Sequence, residues 1–137
     1  ISVSDVLLTE TAGRRYAFSF DSAQKKVKVR KREIHAPSKG AFILCGGNVL
    51  VVQYLDRILD IEKKGSFHKK DSDEERSVIV LSFGDHTRGI IVDNILNRES
   101  IMIKPLERYF AGIKEFSGTA LLGDGSVILV IDPMGMF

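Results

Sequence analysis

The sequence predicts an all-β chain folded as two small five-stranded barrels that pack together. Ten short runs of apolar and β-branched residues, each bounded by turn residues, divide into two sets of five. The two sets resemble each other at an offset of roughly 72 to 78 residues, which indicates a duplicated unit. Because closure removes exposed strand edges, two closed or nearly closed barrels accommodate these strands better than one open sheet.

The first set of strands alternates apolar and polar residues. Tyr16, Phe18 and Phe20 share one face of their strand, which indicates a buried side. A later strand, 25–32, has Val27 and Val29 on one side and lysines and arginines on the other. Leu55 to Leu59 forms a short helical turn. The predicted strands of this set are 5–11, 15–20, 25–32, 41–45 and 49–54.

The second set contains the clearest hairpin. Gly123-Asp124-Gly125 joins two β-branched runs, and glycine supplies the positive φ that such a turn requires. The run Gly89 to Leu96 is predicted to be strand-like throughout. Val127 to Ile131 is apolar at every position, so one face must fill a barrel and the neighbouring half must cover the other. The predicted strands of this set are 78–83, 88–94, 101–103, 119–122 and 126–131.

These elements predict one domain, 1–137, made of two consecutive halves. The first barrel would comprise 1–61 with the chain end 133–137, and the second barrel 78–132. The polar stretch 62–77 has mixed charge and no period, and is predicted to be a mobile charged loop between the halves.

Composition is that of an ordinary globular protein. Of 137 residues, 44% are hydrophobic and 28% charged, and no apolar run reaches the roughly 18 residues of a membrane span. A formal net charge of +2 does not by itself argue for nucleic acid. The single cysteine, Cys45, excludes an internal disulfide and is typical of a reducing cytosol. Ile1 in place of Met suggests a fragment of a longer protein.

No catalytic or metal-binding pattern is present in the sequence. His35, His68 and His86 lie in or beside predicted loops without ligand spacing, so solvated histidines are favoured over a metal site. Cys45 has no helix N-terminus nearby to activate it, which favours a small buried side chain over a nucleophile. We therefore predict no cofactor and no enzyme activity for this chain.

Two other motifs have a structural interpretation beside a chemical one. Asp93 and Asp132 both end apolar strands; a carboxylate pair could serve acid–base catalysis, but strand-end residues that bond turn amides or pair with Arg or Lys are favoured. The 123–125 turn lacks a following helix and a Walker lysine, so a hairpin is favoured over a phosphate loop.

The basic strand has two interpretations. Lys26, Lys28 and Arg30 beside aromatic residues are compatible with a single-strand nucleic-acid platform on an OB-like barrel. Alternation instead directs Tyr16, Phe18 and Phe20 into the core. A basic face that is solvated, or that meets an acidic protein partner, is therefore favoured.

The C-terminal third resembles a known family. The text GIIVDNIL…ESIMIKPLERYF…FSGTALLGDGSVILVIDPMG is similar to the C-terminal regulatory domain of CheA-type chemotaxis histidine kinases, itself related to the adaptor CheW. The KPL…GTALLGDG combination resembles the kinase branch. The resemblance implies two SH3-like barrels and a protein–protein interaction module whose parent kinase has its active site in other domains.

The resemblance also implies partners. They are a CheW-type adaptor, the cytoplasmic tip of a chemoreceptor and other domains of the kinase, in the cytoplasm beside a receptor array. Neither nucleic acid nor membrane insertion is expected. A free CheW-type adaptor is the alternative, and an OB- or SH3-like nucleic-acid binder is a distant one.

Contact residues are carried over by position. Where the family often has Leu-Arg-Gly, this chain has Cys45-Gly46-Gly47, and Val51 replaces a following Pro, so the first half has diverged. The predicted receptor-groove residues are Ile90, Val92 and Asn94. The predicted adaptor-binding residues are Val27, Lys28, Val29, Arg30, Gly46, Gly47, Val49 and Val51.

Overall fold

The computed structural model describes residues 2–38, 40–61, 74–106 and 113–136, without the side chain of Phe83. These residues form two five-stranded sheets, as predicted, with one short helix, α1, at Leu55–Ile58. In the described part of the chain, 3₁₀ turns occupy Lys31–Glu33 and Pro133–Met136. The strands are β1 Ser2–Thr11, β2 Arg14–Ser19, β3 Lys25–Arg30, β4 Ala41–Cys45, β5 Asn48–Tyr54, β6 Glu75–Phe83, β7 His86–Val92, β8 Asn94–Pro105, β9 Phe116–Leu121 and β10 Val127–Ile131.

Five strands close into a barrel, called barrel one here, in the order β1-β2-β10-β9-β8. All neighbours are antiparallel except β10 and β2, which run parallel. Because interior and exterior residues alternate along a strand, every second side chain points inward. The interior holds Val6, Leu8, Ala17, Ile101, Ala120, Leu122, Ile128 and Val130.

The other five strands form a curled sheet, called sheet two here, in the order β3-β6-β7-β5-β4. It repeats the pairing of barrel one, including a parallel pair, β5 with β7. Among the described residues, the seam between β3 and β4 has no ladder, whereas the corresponding strands β8 and β9 pair through Met102 to Pro105. One bridge, between His35 and Phe42, spans the seam instead.

A side chain covers the free edge of β3 where it ends. The Glu33 carboxylate accepts a hydrogen bond from the Arg30 backbone N–H at 2.8 Å. An N–H bonded in this way is not available to a neighbouring strand, and the chain then turns away at Lys31–Glu33. This local turn accounts for the absence of a β3–β4 ladder.

The prediction of two consecutive halves, 1–61 with 133–137 and 78–132, is wrong. Barrel one takes its first hairpin, β1–β2, from the N-terminal repeat and its other three strands from the C-terminal repeat, and sheet two takes the complement. The repeats thus exchange their last three strands. Pairing with the other repeat buries the edges equally well, so the strand pattern alone did not distinguish the two arrangements.

Three hydrophobic clusters hold the described part of the domain together. One fills barrel one, and another fills sheet two with Val29, Ile43, Leu50, Val52, Val78, Val80 and Ile91. The third lies between the sheets and receives the outward side chains of both. Its buried members are Leu7, Tyr16, Phe18, Ala23, Leu55, Ile79, Leu81, Ile90, Val92 and Ile131.

Three predicted boundaries differ from the structure. The charged loop 62–77 ends earlier, because 75–77 already belong to β6, and 62–73 lie outside the described residues. The strand-like run 89–96 is broken by a bend at Asp93, where the chain passes from sheet two to barrel one. The chain end does not pack on one half, since Met136 contacts the cluster between the sheets.

Replacement of Ala12 by Gly is expected to stabilise the domain. Ala12 has φ +53° in the β1–β2 turn, a conformation that costs an L-residue about 1 kcal/mol or more. Glycine removes this cost but loses part of the gain to the entropy of the unfolded chain, so we expect a net gain of about 0.5 kcal/mol. Calorimetry should show a rise in Tm of about 2 °C. The control Gly13→Ala, at φ +75° with open space around it, should lower Tm; a lower Tm for Ala12→Gly would contradict the argument.

Candidate partner-binding surfaces

The β4–β5 hairpin exposes an apolar face made of Phe42, Leu44, Val49 and Val51, called the hairpin face here. Leu44 pairs directly with Val49, and Phe42 with Val51, so the four side chains lie on one side of the hairpin. Leu44 and Val49 are 62% and 64% exposed. Ile43, Leu50 and Val52 fill sheet two from the opposite side. Neighbouring exposed apolar side chains on a rigid hairpin indicate a protein-binding surface.

The turn of this hairpin depends on its two glycines. Gly46 and Gly47 have φ of +59° and +83°, and Asn48 pairs with Cys45 immediately beside them. Two consecutive residues with positive φ form the tight turn that matches the twist of the flanking strands. An arginine at position 46 would adopt this conformation only with strain, so the Gly-Gly step suits the local geometry. The glycines are exposed at the tip beside the hairpin face.

The predicted adaptor-binding residues on β3 divide into two groups. Lys28 and Arg30 are exposed, and Arg30 lies 3.8 Å from the Glu75 carboxylate. Val29 is buried and Val27 packs against the same cluster in sheet two. The inclusion of Val29 as a contact residue is therefore wrong, because alternation directs it into the core. The basic side of β3 remains available to a partner.

The predicted receptor groove is not an open groove. Ile90 and Val92 are completely buried between the two sheets, so their assignment as contact residues is wrong. Both positions face outward from sheet two, but barrel one covers that side. Asn94 is exposed, and its amide donates a hydrogen bond to Glu10 at 3.1 Å.

A second apolar surface lies on barrel one and was not predicted from the sequence. Val3, Met102, Leu121 and Val127 stand side by side on four adjacent strands, each paired in register with the next. They are 56% to 72% exposed, and we call them the outer row. The sequence feature that could have predicted the outer row is the run from 127 to 131, which is apolar at every position. The neighbouring sheet covers Leu129 in that run but leaves Val127 exposed.

Asp93 joins the two sheets. Its carboxylate accepts a hydrogen bond from the Ala12 N–H at 2.9 Å and lies 4.0 Å from the Arg76 guanidinium. Arg76 is only 13% exposed, and its hydrogen bond to Glu74 raises its pKa above the ordinary value. Asp132 lies elsewhere and accepts a bond from the Met134 N–H. Both aspartates therefore accept hydrogen bonds from backbone N–H groups near the ends of strands, and Asp93 also lies beside an arginine.

Replacement of Asp93 by Ala is expected to lower the free energy of unfolding by about 2 kcal/mol, because the Ala12 N–H and the nearly buried Arg76 both lose a partner. Thermal melting should then occur about 8 °C lower. Asp132→Ala is the control: it removes a solvent-exposed 3.1 Å bond and should shift melting much less. Equal shifts in the two variants would mean that Asp93 has no special role at the junction.

Those of the remaining candidate residues that the structure describes show no catalytic geometry. His35 stacks on Phe42 with 5.1 Å between ring centroids, His86 is exposed, and His68 lies outside the described residues. Within the ranges given above, no three His, Cys, Asp or Glu side chains come together as metal ligands. Cys45 is half-buried against the cluster in sheet two.

The 123–125 segment is a hairpin turn. The Leu122 N–H donates to the Ser126 carbonyl at 2.8 Å, and β10 rather than a helix follows. The Asp124 carboxylate accepts from the Arg15 guanidinium at 2.9 Å. Its bonds from Ser126 and then Arg15 hold the pKa of Asp124 well below its usual range. The hairpin interpretation is confirmed.

The aromatic platform for nucleic acid is not formed. Tyr16 and Phe18 are buried between the sheets, and burial raises the pKa of Tyr16. Phe20 is half-buried, with Arg98 at 3.8 Å and Lys26 at 5.7 Å from its ring centroid. Bases therefore have no exposed aromatic surface here on which to stack.

A pocket of about 290 Å³ opens beside the hairpin face. Its walls come from the segment before β4 and the first residue of that strand, from the last four residues of β5 and from α1. Val51 belongs to both the hairpin face and the pocket lining. Arg57 is also in the lining, with its guanidinium 4.6 Å from the centroid of the Tyr54 ring.

Comparison with known proteins was consistent with this architecture. The CheW-like domain model matches residues 5–137. The chain is 27% identical over 132 residues to the chemotaxis protein CheA of Bacillus subtilis, and 26% identical to the sensor histidine kinase CheAY of Helicobacter pylori. Each match covers 96% of this chain but only 19% and 16% of the relatives, respectively. The chain thus spans less than a fifth of the length of these relatives.

The fold also has a solved counterpart. The scaffolding protein TtCheW of Thermoanaerobacter tengcongensis superposes with a TM-score of 0.77 at 18% identity, over 99% of this chain and 93% of that protein. At this identity the likeness shows the fold alone, and it agrees with the predicted pair of SH3-like barrels. No helix among the described residues is long and apolar enough to cross a membrane. The match over nearly the whole sequence, together with the two five-stranded sheets, shows that this chain belongs to the CheW-like domain family.

Proposed function

We propose that this chain is the regulatory domain of a CheA-type chemotaxis histidine kinase and that it docks a CheW-type adaptor through the hairpin face. The observation that supports this most directly is the hairpin face itself, where Leu44 and Val49 are each more than 60% exposed and directly paired. The domain acts as a scaffold, and the kinase chemistry belongs to other parts of the parent protein. Its place is the cytoplasmic side of a receptor array.

The energetics of docking favour this surface. Full burial of one leucine or valine side chain contributes about 1.5 to 3 kcal/mol, so the Leu44–Val49 pair supplies a substantial part of a moderate affinity. Leu44 and Val49 lie on paired strands that a short two-residue turn joins, so docking orders little additional backbone. The exposed Lys28 and Arg30 on β3 offer positive charge to an acidic partner surface.

The outer row provides a second docking face. Leu121 and Val127 on the β9–β10 hairpin correspond to Leu44 and Val49 on the β4–β5 hairpin, because the two sheets repeat one pairing scheme. A domain with two related faces can join a partner on each side, and repetition of a heterologous contact closes a ring. We propose that the adaptor and this domain alternate in this way.

The receptor tip is the other proposed partner. Since Ile90 and Val92 are buried, a receptor helix would have to contact residues around them, among which Asn94 is exposed. The cluster between the sheets joins sheet two, which carries the hairpin face, to barrel one, which carries the outer row. A receptor that favoured one packing arrangement of this cluster would change the adaptor and kinase contacts together. The coupling free energy between receptor binding and these contacts would be about 1 to 3 kcal/mol.

A free CheW-type adaptor is the second candidate, because the superposition covers 93% of TtCheW. The kinase assignment is preferred because the most similar relatives include CheA of Bacillus subtilis and CheAY of Helicobacter pylori. The genomic sequence upstream decides between them: an ATP-binding domain in the same reading frame identifies a kinase.

Isothermal titration of this domain with the CheW-type adaptor of the same organism tests the proposal. We expect binding with a micromolar Kd, and a separate titration with a receptor-tip fragment should also release or absorb heat. No binding of the adaptor at any workable concentration would contradict the proposed scaffold function while leaving the fold unaffected.

A further inference from the structure

We propose that the pocket beside the hairpin face binds a glutamate or aspartate side chain of the docked adaptor, with Arg57 as its cationic partner. This inference rests on the proposed function, because the occupant is part of the protein that covers the hairpin face. It adds a polar, specificity-determining contact to an otherwise apolar surface.

The position of the pocket supports a single, continuous interface. Val51 contributes to the hairpin face and also lines the pocket, so a protein seated on Leu44 and Val49 also overlies the pocket mouth. At about 290 Å³, the pocket has room for one long side chain. Ala41, Val51 and Ile58 provide apolar wall suited to the methylene groups of glutamate.

The positive charge of Arg57 indicates that the side chain entering the pocket ends in a carboxylate. In the described parts of the chain, no ion pair joins Arg57 to a carboxylate, whereas Arg15, Arg30 and Arg98 each have one. The guanidinium lies over the Tyr54 ring, 4.6 Å from its centroid, and this contact restricts its motion. A planar guanidinium held in this way binds a carboxylate through two parallel hydrogen bonds. Ser38 and Gln53 also line the pocket and offer further donors.

The backbone holds Arg57 firmly in place. Leu55, at the start of α1, is completely buried in the cluster between the sheets, and the Leu59 N–H donates to its carbonyl at 2.9 Å. The anchored turn leaves Arg57 on the outer side of α1. A guanidinium positioned before binding loses less entropy when it pairs with a ligand.

Titration of the adaptor into Arg57→Gln and Arg57→Lys variants tests the inference. Arg57→Gln should weaken adaptor binding about tenfold, because a charged hydrogen bond is lost from the interface. Arg57→Lys should lose less affinity, since it keeps the charge but not the paired donors. The matched control is Arg98→Gln: Arg98 also lies over an aromatic ring, Phe20, but on barrel one and away from the pocket. It should bind the adaptor with wild-type affinity.

Two further readouts separate this contact from a general structural effect. The Arg57 Nε–Hε resonance should shift on adaptor binding while that of Arg98 does not. The difference between wild type and Arg57→Gln should shrink as salt rises from about 0.05 to about 0.5 M. Unchanged affinity of Arg57→Gln, with normal binding by the wild type, overturns the pocket inference alone. Failure of the wild type to bind the adaptor overturns both this inference and the proposed function.

Discussion

Ile91→Asp is expected to leave sheet two unfolded. Ile91 is 2% exposed and lies in the cluster inside sheet two, opposite Val78 in the register of β6 and β7. An aspartate there buries an unpaired charge and removes an isoleucine from a packed core, at a cost of several kcal/mol. The whole domain has only about 5 to 15 kcal/mol of stability, so this loss takes most of it.

Far-UV circular dichroism and calorimetry measure this effect. The variant should show no cooperative melting transition near that of the wild type. The control is Val127→Asp, at a side chain that is 67% exposed on barrel one, which should melt almost normally. Leu129→Asp, at a half-buried position, should fall between them. Normal melting of Ile91→Asp would mean that its side chain does not point into the core.

Leu44→Asp and Val49→Asp are expected to abolish adaptor binding at the hairpin face without changing stability, so that only contact with the outer row remains. Each side chain is more than 60% exposed, so a charge placed there stays in water in the free domain. On docking, the same charge would lose its hydration opposite an apolar partner, in addition to the lost apolar contact. A penalty of about 3 kcal/mol or more corresponds to a loss of affinity of at least about a hundredfold.

Leu96→Asp is the matched control for these variants. Leu96 is also an exposed apolar residue, on β8, but it belongs neither to the hairpin face nor to the outer row. Titration calorimetry should find wild-type affinity for it, and melting should be unchanged in all the variants. Unimpaired binding by Val49→Asp, or equal impairment by Leu96→Asp, would exclude the hairpin face as the adaptor-binding surface.

The strands and hairpins were predictable because their determinants are local. The period of two in 15–20 and 25–30, and the turn residues Gly46-Gly47 and Asp124-Gly125, act over a few residues. The same pattern placed Val29 inward and Lys28 outward. Loops without a period, and the site residues inferred only by resemblance, lacked such a local determinant.

The amino-acid sequence by itself determined the all-β class, the ten strands, the internal repeat and the apolar hairpin that carries Val49. Only the tertiary structure decided that β1 pairs with β8 and β3 with β6, because strand pairing is non-local and either partner buries the edge. It also decided the roles of Ile90 and Val127. Both belong to runs that are apolar on both faces, so alternation cannot say which side is covered. Barrel one covers Ile90, whereas Val127 lies at the end of its strand, beyond the reach of the other sheet, and remains exposed.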